Sequence, residues 1–89
     1  MKKHARNPKD ELQQIPSIGP SLADDLRRLG YRHIVDLKGQ DPEKMYTRFE
    51  KLVGSHVDRC VLYTFRCAVH YATAKRHDPE KLKWWNWKD

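Results

Sequence analysis

The sequence predicts one all-α domain of about five helices. Three observations carry that expectation. No stretch alternates apolar and polar residues with the period of two that a half-buried strand needs. Apolar residues instead recur at helical spacing, and prolines and glycines sit where helices start and stop. Eighty-nine residues suit one domain with a modest core.

Taken in order, residues 1–7 are polar and basic and read as a flexible, frayed N-terminus. Pro8 to Gln13 makes a short first helix capped by Asn7. Pro16-Ser17-Ile18-Gly19 then forces a sharp reversal into a second helix. Pro20 suits its first position, where a missing N–H costs nothing. Leu22, Ala23, Leu26 and Leu29 give it one apolar face, and Gly30 suits the residue just past its end. Ile34 to Leu37 forms a turn or short helix before Gly39. Asp41-Pro42-Glu43-Lys44 is a strong helix start, with Asp as cap, Pro at the first position and Glu at the positive end. Met45, Phe49, Leu52 and Val53 supply that helix's apolar face, and Gly54 ends it. Lys51 to Asp58 reads as an ordinary interhelical loop. Asp58 opens a long helix to about His77. Asp78-Pro79-Glu80-Lys81 repeats the start signal and launches a short last element through Trp84, Trp85 and Trp87. The chain thus divides into the N-terminus (1–7), the helical domain (8–77) and a Trp-rich C-terminal segment (78–89) that packs on it.

The reversal matters most for function. Its backbone N–H groups point along the start of the second helix, where unpaired donors and partial positive charge can hold an anion, most obviously a phosphate. The pattern hydrophobic-Pro-x-hydrophobic-Gly-Pro-x-x-Ala-x-x-Leu, running from Ile15 to Leu26, resembles the helix-hairpin-helix motif of many DNA-handling proteins. Ser17 stands where such hairpins usually carry glycine, and Ser21 where they often carry Lys or Arg. Further along, Asp58-Arg-Cys-Val-Leu-Tyr-Thr-Phe-Arg-Cys-Ala-Val-His-Tyr-Ala72 is similar to the long-helix signature of a small bacterial family of pathogenicity-locus and mitomycin-resistance proteins. Together the two matches cover roughly Asp10 to Ala74. The resemblance implies a helix-hairpin-helix fold and DNA binding, with a monovalent cation bridging hairpin carbonyls to phosphate as an added feature. It implies no particular reaction.

The long helix resolves into three stripes at 100° per residue. Val61, Leu62, Phe65, Ala68, Val69 and Ala72 form the core side. Arg59, Arg66, His70 and His77 lie almost in line on a second side, which is either a solvated face or an auxiliary phosphate track. Cys60, Thr64, Cys67, Tyr71 and Ala74 form a third side of mostly small residues that something must cover. Either the Trp84-Trp85-Asn86-Trp87 segment or the first helix folds over it, or it is an interface with a second copy or a partner protein. Cys60 and Cys67 stand about 10.5 Å apart along one helix axis, beyond the reach of a disulfide, which fits a reducing compartment.

Net charge is +6, from 18 Lys and Arg against 12 Asp and Glu, and both halves of the chain share it. That balance favours encounter with polyanions. No apolar run is long enough to span a bilayer and none follows the basic start, so a cytoplasmic protein with no membrane partner is expected. Cys67, His70 and His77 do not close a four-ligand metal site. Asp24 and Asp25 point about 100° apart on one helix and form no carboxylate pair. No nucleotide loop, nucleophile elbow or acid–base set is visible. The expectation is therefore a non-catalytic DNA-binding module without cofactor or small-molecule substrate. Ser17, Ile18, Gly19 and Ser21 would hold phosphate with help from Arg59 and Arg66. The rival is a protein-interaction module of the same fold, a homodimer included, with Cys60, Cys67, Tyr71, Trp84, Trp85 and Trp87 as its interface.

Overall fold

In a computed structural model, residues 9–74, 77 and 79–88 are described. The elements run as a 3₁₀ turn at Glu11–Gln14, helix α1 at Pro20–Arg28 and a 3₁₀ turn at Ile34–Leu37. Helix α2 at Pro42–Val53, helix α3 at Arg59–Thr73, and two further 3₁₀ turns at Pro79–Leu82 and Trp84–Trp87 complete the order. The described residues are thus all-helical, but as three α-helices and four short turns where about five helices were expected.

Cap chemistry explains most boundaries. The Asp41 carboxylate accepts from the Glu43 amide and Pro42 takes the first position of α2. Asp58 does the same for the Cys60 amide at α3. The end of α1 is a glycine-dependent Schellman turn: Tyr31 N–H donates to the Leu26 carbonyl and Gly30 N–H to Arg27, with Gly30 at φ 101°.

The first element departs from the expected Pro8–Gln13 helix. Asp10, not Asn7, caps it, accepting from Leu12 N–H at 3.1 Å and from the Gln13 amide at 2.8 Å. Both Asp10 oxygens also receive the Arg27 guanidinium at 3.0–3.1 Å. One carboxylate therefore caps the turn and ties it to the last turn of α1. Residues 7 and 8 lie outside the described residues. Glu11 makes a second long tie, accepting from Ile34 N–H at 2.8 Å and meeting His33 Nδ1 at 3.1 Å.

The core gathers Leu12, Ile15 and Ile18 from the N-terminal reversal, Ala23, Leu26 and Leu29 from α1, Met45, Tyr46 and Phe49 from α2, and Leu62, Phe65 and Ala68 from α3. Phe49 and Phe65 meet edge to face, 6.1 Å between centroids. Two apolar positions of α2 do not join it: Leu52 and Val53 are 48% and 47% exposed. Tyr46 takes the buried place beside Met45 and Phe49 because its hydroxyl can donate to the Val57 carbonyl. Helix α3 ends at Thr73 rather than His77, with Ala74 already extended and the Thr73 hydroxyl accepting from Gly39 N–H at 3.1 Å.

Arg27 holds the Asp10 carboxyl below its ordinary range, chiefly by hydrogen bonding. A depressed folded value means that this stabilisation is complete above the unfolded value near 4 and is lost as pH falls through the folded one. Asp10→Asn should cost about 1–2 kcal/mol, a fall in Tm of roughly 5–15 °C at neutral pH. The gap between the two proteins should narrow as a thermal melt series is taken below pH 4. A gap independent of pH would mean that the ion pair contributes nothing.

Candidate functional site

The reversal before α1 is pinned from below and open above. Ile15 and Ile18 are fully buried, while Pro16 and Ser21 are exposed. Gly19 sits at the N-cap of α1 in extended backbone, φ −93° and ψ −175°, and no side chain caps the helix. A methyl group built on Gly19 would have no heavy atom within 4 Å. Helix geometry leaves the Ser21 and Leu22 amides without an intrahelical acceptor, since the first such bond is Ala23 N–H to the Gly19 carbonyl. No acidic residue lies in the first turn of α1. Asp24 and Asp25, further along, are paired with Arg27 and Arg28, and burial pushes the Asp25 carboxyl upward.

Two of the sequence-predicted phosphate contacts are engaged inside the protein. Ile18 N–H donates to the Ile15 carbonyl at 2.9 Å, closing the turn. The Ser17 hydroxyl faces inward, sealed from solvent and without a hydrogen-bond partner of ordinary geometry. It lies against the Cys67 thiol, whose pKa burial raises and Ser17 partly restores. Gly19 and Ser21 remain at the surface.

The arginines of α3 are placed apart from the reversal in role. Arg59 and Arg66 flank the Tyr63 ring, 5.8 and 5.6 Å from its centroid. Arg66 is 21% exposed and binds Glu43 Oε1 at 2.6 Å and the Trp87 carbonyl at 2.7 Å, so it ties α2, α3 and the C-terminal turn together. His70 packs on Trp87 with ring centroids 5.1 Å apart, and His77 lies beyond the helix, stacked on Tyr71 at 4.0 Å. Of the four residues read as either a solvated face or a phosphate track, Arg59 and His77 are exposed, while Arg66 and His70 are partly buried against the C-terminal turn.

The six predicted interface residues separate likewise. Cys67 is buried, its thiol 3.6 Å from the Lys81 carbonyl, whereas Cys60 is exposed at the start of α3. The same Lys81 carbonyl accepts from Trp87 Nε1 at 2.8 Å. Trp84 and Trp85 pack edge to face, and Trp85 is 50% exposed. Between α3 and the last turn runs an open groove of about 640 Å³, reaching Gln40 and Pro42 across from Arg66, His70 and Trp87. Sequence reasoning missed this groove, because it needs the C-terminal turn in place and no local pattern announces it. Among the described residues there is no cluster of three or more His, Cys, Asp and Glu that could hold a metal ion. No helix among them is long and apolar enough to cross a membrane.

Comparison with known proteins now adds a lineage. A family model described as "Pathogenicity locus" (Cdd1) matches residues 5–89. The chain belongs to this family. It is also 30% identical over 77 residues to the mitomycin resistance protein McrB of Streptomyces lavendulae, a match covering 86% of this chain and 70% of that one. No solved structure matches the chain. The α3 segment that resembled the family's signature is thus family sequence, and here it carries both cysteines.

Those cysteines should differ sharply in reactivity. Native protein treated with iodoacetamide and read by mass spectrometry should take one label, at Cys60, and a second, at Cys67, only in denaturant. Labelling of Cys60 should climb with pH above the ordinary thiol range, because the Asp58 carboxylate holds its pKa up. Equal native rates at the two thiols would contradict the burial of Cys67.

Proposed function

We propose that this chain is a non-catalytic, largely sequence-independent DNA-binding module of the helix-hairpin-helix type. The uncapped start of α1 carries the reading. Asp58 and Asp41 spend their carboxylates on the first amides of α3 and α2, while at α1 Gly19 leaves the equivalent donors to an outside acceptor. The phosphate contact narrows to the amides of Gly19, Ser21 and Leu22, with the exposed Ser21 hydroxyl beside them. Ser17 and Ile18 shape the turn from within, and Arg66 supports the fold. The net charge of +6 supplies the long-range attraction. Backbone donors read no sequence, so affinity should follow salt rather than base composition.

The rival reading, a protein-interaction module of the same fold, is favoured by a different observation. Leu52 and Val53 stand exposed on the last turn of α2, near Arg48 and Lys51.

Anisotropy titrations of labelled duplex and branched DNA separate the two. For each phosphate that a Lys or Arg neutralises, affinity should weaken about 3.5-fold when salt rises fourfold. Ser21→Glu should weaken binding at least tenfold while leaving α1 intact, because a carboxylate is favourable at a helix N-terminus. Gly19→Val should do the same, since its side chain would enter the approach and its Cβ would meet no heavy atom within 4 Å. No binding to either DNA at low salt, or binding indifferent to both substitutions, would leave the interaction module as the better account.

A further inference from the structure

The groove between α3 and the C-terminal turn has the features of a small-molecule site and no part in the hairpin contacts. Its volume, about 640 Å³, lies inside the usual range of ligand pockets, roughly 300–1,000 Å³. Its walls are chemically mixed in a directed way. Trp87 presents an indole with Val69 and Pro42 as apolar neighbours, a surface on which a flat ring can lie. Lys88 adds a cation beside the paired Arg66, and no carboxylate is among the described lining residues. Glu43 meets Arg66 from outside the lining and fixes its guanidinium in position. Hydrogen-bonding capacity remains at the edges. Thr73 Oγ accepts from Gly39, leaving its O–H free to donate, and Asn86 uses its NH₂ on the Glu80 carbonyl, leaving its oxygen to accept.

A second, independent observation points the same way. His70 lines this groove, and its Nε2 is sealed from solvent with no hydrogen-bond partner from the protein. It is the only such side-chain nitrogen among the described residues. Buried polar atoms in folded proteins are nearly always satisfied, so an orphan just behind a groove wall marks a place where a small opening of that wall would let an outside group complete the bonding.

We propose that the groove binds a small planar heteroaromatic ligand bearing an acidic group, the chemistry of a nucleoside monophosphate. The ring lies against Trp87 and Val69, and the acidic group meets Lys88 beside Arg66. His70, packed on Trp87, borders this site, so its ring senses the bound molecule. This inference stands apart from the hairpin reading, because it uses none of the α1 amides. The same chemistry could reach the groove as a free nucleotide or as the terminal unit of a strand, and the proposal is the free molecule.

Tryptophan fluorescence with calorimetry on the full chain tests it, using adenosine monophosphate, adenosine, inorganic phosphate and a short 5′-phosphorylated oligonucleotide as probes. Adenosine monophosphate should bind saturably and change the fluorescence of the clustered tryptophans. Adenosine should bind at least tenfold more weakly, and inorganic phosphate should leave the fluorescence unchanged. The His70 imidazole resonances should shift on saturation. Lys88→Glu, at an exposed position, should weaken binding at least tenfold with unchanged circular dichroism, and Val69→Trp should block it by filling the groove. The proposal is overturned by absence of saturable binding at millimolar nucleotide. It is equally overturned by binding that ignores both substitutions and leaves His70 unmoved. An oligonucleotide that binds where the mononucleotide does not would also overturn it, while leaving the hairpin reading intact.

Discussion

A helix that is apolar on two sides must be covered on two sides, and this chain's way of covering α3 governs the rest of its structure. One side, Leu62, Phe65 and Ala68, closes on α2 and the Ile34–Leu37 turn, in one core cluster with α1 and the N-terminal reversal. The adjacent side, with Thr64 and Cys67, is also buried, and here the C-terminal 3₁₀ turns supply the cover. Turns of four residues bury little by themselves and leave most of their carbonyls unpaired. Those carbonyls become the attachment points. Lys81 O takes the Trp87 indole and lies against the Cys67 thiol, Glu80 O takes Asn86, and Trp87 O takes Arg66. Residues 79–88 are held less by their own helicity than by side chains reaching into their backbone.

That arrangement also explains what could and could not be read from the sequence. Caps were legible because they are local: Asp41-Pro42, Asp58 and Gly30 need only their immediate neighbours, and each sits where it was expected. The first element was not, because Asp10 answers to Arg27, seventeen residues away, and an aspartate committed there starts its turn later than Asn7 would. On α2 the spacing Met45, Phe49, Leu52, Val53 was periodic but misleading. The helix runs past the edge of the core, so its last apolar pair meets water while Tyr46 packs inside. On α3 the arginine stripe dissolved for a similar reason. Arg66 was given to Glu43 and to a backbone carbonyl of a segment whose docking no helical wheel contains.

The reversal itself was half legible, and the division is instructive. Its sequence marks four donors or hydroxyls as equivalent, whereas the fold sorts them by direction. The turn consumes Ile18 N–H, the interior takes the Ser17 hydroxyl, and only the groups around Gly19 and Ser21 face outward. Serine in place of the usual glycine at position 17 therefore does not obstruct the outer face. Its side chain turns into the interior beside the small, weakly polar Cys67.

Cys67 thereby joins two regions that share no element. It touches Ser17 under the reversal and Lys81 in the cover, and the Lys81 carbonyl in turn holds Trp87 at the groove. Neither sulfur contact is a strong hydrogen bond, so the link works through packing and depends on volume. A protein interior near close packing transmits such a constraint without needing charge. The reversal and the Trp87 end of the groove therefore share a neighbour in Cys67, so a change of volume at that position is felt on both sides.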